Sequence, residues 1–351
     1  MHGGYGLTGF AAHALPDRPV RLWRYAAGGA VAHPPVSDGE RIFLAARPGR
    51  VVALDRAGAE LWVRELAPID APLAVVGGAV IGAAASGTAF ALDAASGRTL
   101  WTNALGEAVS GSAAALATPD GTRAAILGQP SGNVYLLDPG TGARRGMVSG
   151  PARADGSPAA AAGRLVFGSC NAAVHVLAPG ADTLRDVPLG EGHEVAGGVA
   201  LAGTQAFAGT RAGALVCVDA ARASEAWRVR PDEFELFVTP AVTADRVVVV
   251  SGGGNVVCVR RSDGRTLWST AHLALDFGAP VVAADRVVAT LDGKVVLLAL
   301  ADGAELWSYT AGGRLTGPSI VGRTILVADG EGHVTAFGAD GDAGKGAAGH
   351  D

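Results

Sequence analysis

The chain has 351 residues, of which 49% are hydrophobic and 17% are charged, and its formal net charge is -5. This balance is typical of a soluble globular protein with a large core and excludes a chain that is disordered throughout. The mild negative charge gives no general attraction for nucleic acid or anionic lipid, and no stretch has the roughly 18 uninterrupted apolar residues of a spanning helix. We therefore expect neither a nucleic-acid partner nor a membrane span.

The first residues, MHGGYGLTGFAAHALPDRPV, have neither the basic start nor the continuous apolar core of a secretory signal. As written, they predict a cytoplasmic protein; if a leader was removed, they predict a periplasmic or extracellular one. We assign residues 1–19 to an N-terminal segment that precedes the repeats.

From residue 20 onward, one phrase returns about every 40 residues, a period typical of propeller blades. It reads ALDRAGAELW at 53–62, ALDAASGRTLW at 91–101 and CVRRSDGRTLW at 258–268. The tryptophans that belong to the phrase are Trp23, Trp62, Trp101, Trp227, Trp268 and Trp307. Two further copies, VYLLDPGTGARRG at 134–146 and VHVLAPGADTLRD at 174–186, keep the apolar alternation and lose the tryptophan.

Each copy contains four short segments of alternating apolar residues, separated by turns rich in glycine and small polar residues, and this predicts four antiparallel strands. Inner strands open near residues 33, 71, 111, 156, 197, 239, 279 and 316, but the last copy lacks its tryptophan strand. The segment VRLWRYA at 20–26 has no blade before it, so we expect it to complete the last one. The predicted fold is all-β: a single eight-bladed β-propeller over 20–340, followed by a disordered tail at 341–351.

The phrase (V/L)xxLDxxxGxxLW, with its tryptophan in the outer strand, resembles the PQQ-like β-propeller repeat over about residues 20–340. That superfamily includes the quinoprotein alcohol dehydrogenases and the BamB-type outer-membrane assembly lipoproteins. The resemblance implies that the six tryptophans dock between neighbouring blades. It indicates the fold more than the function, because one fold serves many functions.

The resemblance also implies what an enzyme of this superfamily would need. Those enzymes stack a quinone on a tryptophan in the central channel, typically beneath a disulfide between adjacent cysteines. Here the repeat uses every tryptophan, and Cys170, Cys217 and Cys258 are neither adjacent nor spaced as a metal-binding pair. We therefore predict no catalytic residue, no cofactor, no metal site and no enzymatic activity.

Other polar residues fit structural roles better than catalysis. His175 falls inside a strand, and we interpret it as a packed residue. The glycine-rich SGGGNVV at 251–257 predicts a hairpin turn, because no helix follows that could hold a phosphate. One aspartate recurs before a turn, where its side chain can cap backbone N–H groups. The copies are Asp55, Asp93, Asp138 and Asp219.

The residues that do not repeat concentrate in the loops that join the outer strand of one blade to the inner strand of the next. Phe237 and Phe277 both stand three residues before the inner-strand proline, so we expect them to occupy matched positions in two consecutive blades, with acids around them. Aromatic side chains beside acids suit a basic or arginine-bearing protein. The candidate partner-binding residues are Glu191, His193, Glu194, Asp232, Glu233, Phe234, Glu235, Phe237, Asp276, Phe277 and Arg314. In the competing interpretation, the phenylalanines fill the top of the channel and the acids are only solvated.

These observations predict a non-catalytic protein-interaction scaffold that binds a partner through the channel-rim loops. Two alternatives stay open. One is an oxidoreductase that binds PQQ or another small molecule in the channel. The other is a sensor module of a bacterial signalling system.

Overall fold

The computed structural model describes residues 4–340. The tail that the sequence predicts to be disordered, 341–351, lies outside the described residues, as do residues 1–3. The regular elements of the described chain are β-strands, and no helix there is long and apolar enough to cross a membrane. The first two strands are Phe10–Ala11 (β1) and Val20–Ala26 (β2).

The remaining strands follow in groups, one group to a blade. Blade 1 contains Val36–Ser37 (β3), Arg41–Ala46 (β4), Arg50–Asp55 (β5) and Glu60–Glu65 (β6), and blade 2 contains Ala74–Val76 (β7), Ala79–Ala83 (β8), Thr88–Asp93 (β9) and Thr99–Ala104 (β10). Blade 3 contains Ala114–Thr118 (β11), Gly121–Leu127 (β12), Val134–Leu137 (β13) and Arg144–Val148 (β14), and blade 4 contains Ala159–Ala161 (β15), Arg164–Ser169 (β16), Ala173–Leu177 (β17) and Leu184–Pro188 (β18). Blade 5 contains Ala200–Ala202 (β19), Gln205–Gly209 (β20), Leu215–Asp219 (β21) and Ser224–Val229 (β22), and blade 6 contains Ala241–Val242 (β23), Arg246–Val250 (β24), Val256–Arg260 (β25) and Thr266–Thr270 (β26). Blade 7 contains Val281–Ala283 (β27), Arg286–Leu291 (β28), Lys294–Ala299 (β29) and Glu305–Thr310 (β30), and blade 8 contains Ser319–Val321 (β31), Thr324–Ala328 (β32) and His333–Gly338 (β33).

The strands of a blade pair antiparallel in chain order, from an inner strand at the channel to an outer strand at the circumference. Blade 8 receives its outer strand from the other end of the chain: β2 pairs with β33, and Arg24 stands opposite Thr335. The predicted eight-bladed propeller and its closing strand are therefore confirmed. The sequence did not predict β1, which adds to blade 7 as a parallel partner of β27.

The core lies between the blades. Eight apolar clusters are present among the described residues, one at each interface between neighbouring blades, including the closing interface between blades 8 and 1. The middle strands are mostly apolar on both faces because a neighbour covers each face, and all five residues of β8 are buried. An outer strand such as β30 alternates between partly buried and exposed residues.

The outer-strand tryptophans dock onto the next blade, as the resemblance implied. Their indole N–H groups donate to turn carbonyls at 2.9–3.1 Å in the pairs Trp23–Arg56, Trp62–Ala94, Trp101–Pro139, Trp227–Arg261 and Trp268–Leu300. The rings lie over turn glycines, and a Cβ built on Gly97 would come 2.6 Å from the Trp62 ring. Trp307 packs against Phe337, with ring centroids 5.5 Å apart.

The recurring aspartates cap turns between the third and fourth strands. The Oδ1 atom of each accepts backbone N–H groups at 2.8–3.1 Å from residues two to four positions ahead. This confirms the turn-capping interpretation of Asp55, Asp93, Asp138 and Asp219.

The two ends of the channel are built differently. The loops between blades and the turns between second and third strands form one end, which we call the mouth. The turns between first and second strands form the other end, which we call the base. Residues 5–11 run across the base, where β1 pairs with β27. The N-terminal segment therefore covers one end of the channel.

Candidate functional site

One backbone position in each loop sets the architecture of the mouth. Its carbonyl accepts an N–H from the turn between the second and third strands of the following blade, at 2.7–3.1 Å. The residues at this position, which we call the mouth ring, are Ala30, Pro68, Ala108, Arg153, Glu194, Glu235, Asp276 and Arg314. The repeat thus places eight equivalent backbone positions around the channel. The side chains at these positions differ from one loop to the next.

The mouth ring carries its charge on one side. Acids occupy three consecutive positions, Glu194, Glu235 and Asp276, and Arg153 and Arg314 stand on either side of them. The six acids predicted as candidates all lie on the three corresponding loops, 189–198, 230–240 and 271–280, and Arg230 is the arginine of these loops. Like charges on neighbouring loops add their fields, so this sector of the mouth attracts cationic groups.

The two candidate phenylalanines do not occupy matched positions, and that sequence expectation is wrong. Directly after the mouth ring, each loop has an apolar residue, which is Leu236 in one loop and Phe277 in the next. Phe277 therefore corresponds to Leu236, and Phe237 lies one position later, because the loop before Pro240 is one residue longer than the loop before Pro280. Phe277 packs half-buried against the cluster of blades 6 and 7, whereas Phe237 is 38% exposed.

Four large apolar side chains are exposed on these loops: Phe234 at 43%, Phe237 at 38%, Leu273 at 77% and Leu275 at 90%. We call them the mouth patch. The glycine turn 252–254 separates its two halves, because a Cβ on Gly253 would meet the Phe234 ring at 2.5 Å and one on Gly254 would meet the Ala274 nitrogen at 2.2 Å. Sequence reasoning missed both leucines. The available signal was an apolar residue in a loop position that has no counterpart in the repeat.

Five further polar candidates divide into those with a hydrogen-bond partner in a turn and those that are exposed. Asp232 accepts hydrogen bonds from the Ser251 hydroxyl and from the Asn255 amide, the latter at 2.9 Å, and so braces the blade 6 turn. His193 Nδ1 lies 3.2 Å from Thr210 Oγ1, and burial, followed by the charge of Arg228, lowers the pKa of His193. The second group, Glu191, Glu233 and Glu235, is exposed.

Arg314 bridges two loops of the mouth. Its guanidinium lies 2.9 Å from Asp276, and its side chain is 85% exposed. An ion pair this exposed adds little stability, so Arg314 can exchange Asp276 for another anion at small cost. The pair lines a cavity of about 400 Å³ together with Phe277 and Arg47, a residue that sequence reasoning missed. The candidates on the loops 189–198 and 230–240 do not line this cavity.

Blade 4 contains a hydrogen-bonded chain with the order of a nucleophilic triad. Ser169 Oγ lies 2.6 Å from His175 Nε2, and His175 Nδ1 lies 2.8 Å from Asp186 Oδ1. Ser169 and His175 are both 0% exposed, and the serine hydroxyl also bonds to Asn171. Because a nucleophile must reach its substrate, this chain is a structural polar network, in which Ser169 and His175 are buried and the Asp186 side chain is 49% exposed. The interpretation of His175 as a packed residue is confirmed.

A group of possible metal ligands lies in the blade 8 turn, where donor atoms of Asp329, Glu331 and His333 lie within 4.8 Å of one another. The Asp329 carboxylate already accepts the backbone N–H groups of Glu331 at 3.0 Å and of His333 at 2.9 Å. The Arg24 guanidinium stands 3.7 Å from the same carboxylate, where it competes with any cation. We interpret this group as a capped turn.

Comparison with known proteins agrees with the repeat. A family model described as outer membrane protein assembly factor BamB matches residues 17–180, 173–317 and 237–345. The chain belongs to this family. The match confirms the resemblance that the repeat phrase indicated.

Solved structures of BamB-like shape include an assembly factor and enzymes. BamB from Moraxella catarrhalis has 19% identity and a TM-score of 0.79, over 92% of this chain and 98% of that one. A europium-containing methanol dehydrogenase has 13% identity and a TM-score of 0.76, over 95% and 96%. The quinohemoprotein alcohol dehydrogenase from Comamonas testosteroni has 13% identity and a TM-score of 0.75, over 96% and 79%. No curated protein matches the chain. At these identities the structures show a shared fold.

The residues that line the central channel do not fit PQQ. The channel encloses about 170 Å³ between Leu7, Pro34, Val36, Pro72, Leu73, Ser112, Ser157, Thr239, Ala279, Pro318 and Ser319. PQQ carries carboxylates, and this lining offers them no cationic side chain. All six tryptophans lie on outer strands, away from the channel, so none is placed to stack on a quinone there.

Proposed function

We propose that this BamB-family chain is a non-catalytic scaffold that binds a partner protein at the mouth. The observation that carries the proposal is that four large exposed apolar side chains, on two consecutive loops, lie among six acids on these loops and the loop before them. Exposed apolar groups rimmed by polar ones mark interaction sites, and loops on a rigid scaffold commonly carry function. The family description, an assembly factor, supports a protein as the partner.

The mouth suits a partner that presents an apolar anchor beside basic residues. Leu273 and Leu275 are the most exposed members of the patch, so covering them removes the most apolar surface from water. Glu194 and Glu235 complement lysine or arginine, mainly by raising the rate of association and selecting the partner. Binding of this kind weakens as salt screens the charges.

The test is affinity capture from source cells with matched variants. The mouth variant is Phe234→Asp with Leu275→Asp, and the control is Leu61→Asp, which changes a leucine 49% exposed on the outer strand of blade 1. We expect the wild type and Leu61→Asp to enrich the same partner, and the mouth variant to lose about tenfold or more in affinity for it. Equal enrichment by the mouth variant, with its fold intact by circular dichroism, would contradict the proposal.

The cavity beside Arg47 and Arg314 favours a second candidate function, the binding of a small anion at the mouth. Guanidinium groups pair with carboxylates and phosphates, and an oxidoreductase or a sensor would both begin with such binding. Native mass spectrometry of protein purified from source cells tests it. A bound molecule that is lost in Arg47→Ala with Arg314→Ala, but kept in the mouth variant, would favour this function over the scaffold.

The family description also supports a location in the cell envelope, the second of the two expected locations. Fractionation of source cells with an antibody against the propeller separates this location from the cytoplasm.

A further inference from the structure

The inner strand of each blade presents one edge to the channel. It stands at the end of its sheet, so only its other edge pairs with a strand of the same blade. Backbone N–H groups on an open strand edge need acceptors, and such an edge can bind another chain. At the base, the N-terminal segment supplies these acceptors.

Residues 5–11 bond to four consecutive blades. Their carbonyls accept N–H groups at 2.6–2.9 Å in the pairs Tyr5–Ala160, Gly6–Leu201, Thr8–Val242, Gly9–Val282 and Ala11–Ala284. The segment advances by only one or two residues from one blade to the next, so it runs across the strands and around the channel wall. Its last step, β1 on β27, is a regular parallel pair.

Side chains make this contact selective. Leu7 is 4% exposed, because it packs into the cluster of blades 4 and 5 and lines the channel. The Tyr5 hydroxyl donates to the Val75 carbonyl in blade 2. A Cβ on Gly6 would come 2.5 Å from the Leu201 carbonyl oxygen, which leaves no room for a side chain there. By contrast, Phe10 is 39% exposed.

We propose that the base is a peptide-binding groove whose ligand is a Tyr-Gly-Leu turn and the short strand after it, supplied here in cis by residues 5–11. The Leu7 N–H donates to the Gly4 carbonyl at 3.1 Å, and Phe10–Ala11 is the part that pairs as a strand. The groove recognises backbone carbonyls through single inner-strand N–H groups of blades 4 to 6 and through strand addition at blade 7, and it recognises leucine through the apolar end of the channel. A segment bound in this way lies across the base and ties four blades together. The groove lies at the opposite end of the channel from the mouth, so it is independent of the partner site proposed there.

The test uses the full chain with a protease site inserted between Ala12 and His13, both of which are exposed. After cleavage of the folded protein, we expect the released N-terminal peptide to stay bound through gel filtration. A labelled synthetic peptide of residues 4–12 should then exchange into the groove. Leu7→Asp or Gly6→Val in that peptide should weaken exchange about tenfold or more, whereas Phe10→Ala, the control, should exchange like the parent. Dissociation without exchange, or equal binding of the Leu7→Asp peptide, would overturn the proposal.

A second measurement uses the uncut chain and does not depend on the stability of the cleaved protein. In full-length Gly6→Val, we expect amide hydrogen exchange at Ala160, Leu201 and Val242 to rise about tenfold or more, while outer-strand amides keep their rates. Unchanged exchange at these inner-strand amides would overturn the proposal. Either result leaves the mouth proposal untouched, because none of these residues lies on the mouth loops.

Discussion

At the scale of single residues, the residue type at one turn position of a blade depends on whether the preceding blade places a tryptophan ring over it. Where a tryptophan ring lies above it, the position is glycine, as at Gly97 beneath Trp62. Blade 4 carries Arg185 in place of tryptophan, since Arg185 stands opposite Val176 and its guanidinium donates to the Ala221 and Arg222 carbonyls in the turn of blade 5. That turn has Ala223 at φ 52°. An alanine Cβ is therefore compatible with this left-handed backbone, and the ring above is what demands glycine.

We predict that Gly97→Ala lowers the free energy of unfolding by about 2–4 kcal/mol, since strain at positive φ adds to overpacking against the Trp62 ring. The matched control is Ala223→Gly, which should change that free energy by about 1 kcal/mol or less. Urea unfolding of the three proteins measures both values. Equal effects of the two substitutions would mean that the ring does not select the glycine.

At the scale of elements, blade 4 joins three of its strands through polar side chains. His175 on β17 stands opposite Asp186 on β18, at the position where blade 5 has Val216 opposite Arg228. Ser169 on β16 completes the chain across three strands. Burial lowers the pKa of His175 below 6.5, against the opposing hydrogen bond and charge of Asp186.

This shift predicts that the protein loses stability on mild acidification. His175 binds a proton more readily in the unfolded chain than in the folded one. The stability that neutral, buried His175 contributes is therefore fully present above pH 6.5 and is lost as pH falls through the lowered folded pKa. Burial also lowers the pKa of His33 and of His272, which adds to the same slope.

An NMR titration of the His175 ring should give a pKa below 6.5. In urea unfolding, His175→Gln should flatten the dependence of the unfolding free energy on pH between about 5 and 6.5. A His175 ring that titrates above this window would show that burial does not lower its pKa.

At the scale of the whole molecule, stability is distributed around a closed ring. Every blade shares an apolar cluster with both neighbours, and the pairing of β2 with β33 leaves no terminal blade to fray. In an open array of repeats, each unit contacts only its neighbours and the ends open first. Here, opening any one interface breaks the ring.

We therefore predict a single cooperative unfolding transition. Phe337→Ala, at the fully buried contact between blades 7 and 8, should lower the free energy of unfolding by about 3–5 kcal/mol and shift the tryptophan-fluorescence and circular-dichroism midpoints together. The fluorescence reports on several blade interfaces because the tryptophans dock there. Separate midpoints for the two signals would show that the blades unfold independently.

Much of the fold was predictable because it depends on local patterns repeated along the chain. Strand alternation, the capping aspartates and the spacing of the tryptophans each act within one blade or between two adjacent ones. The candidate loops were also found, because they are the parts of the chain that do not repeat. Which of their side chains would be exposed was not predictable, since Leu275 and Phe277 lie two residues apart and differ in burial only through what the neighbouring blade covers.

By itself, the sequence determined the number of blades, the four-stranded plan and the closure of the ring by residues 20–26, because periodicity sets these features without knowledge of distant contacts. The tertiary structure decided the rest. It placed Phe277 in register with Leu236, buried Ser169 and His175 in a hydrogen-bonded chain with Asp186, and laid residues 5–11 across the inner strands of four blades. These features depend on hydrogen bonds and packing between residues far apart in the chain, and such contacts exist only once the ring has closed.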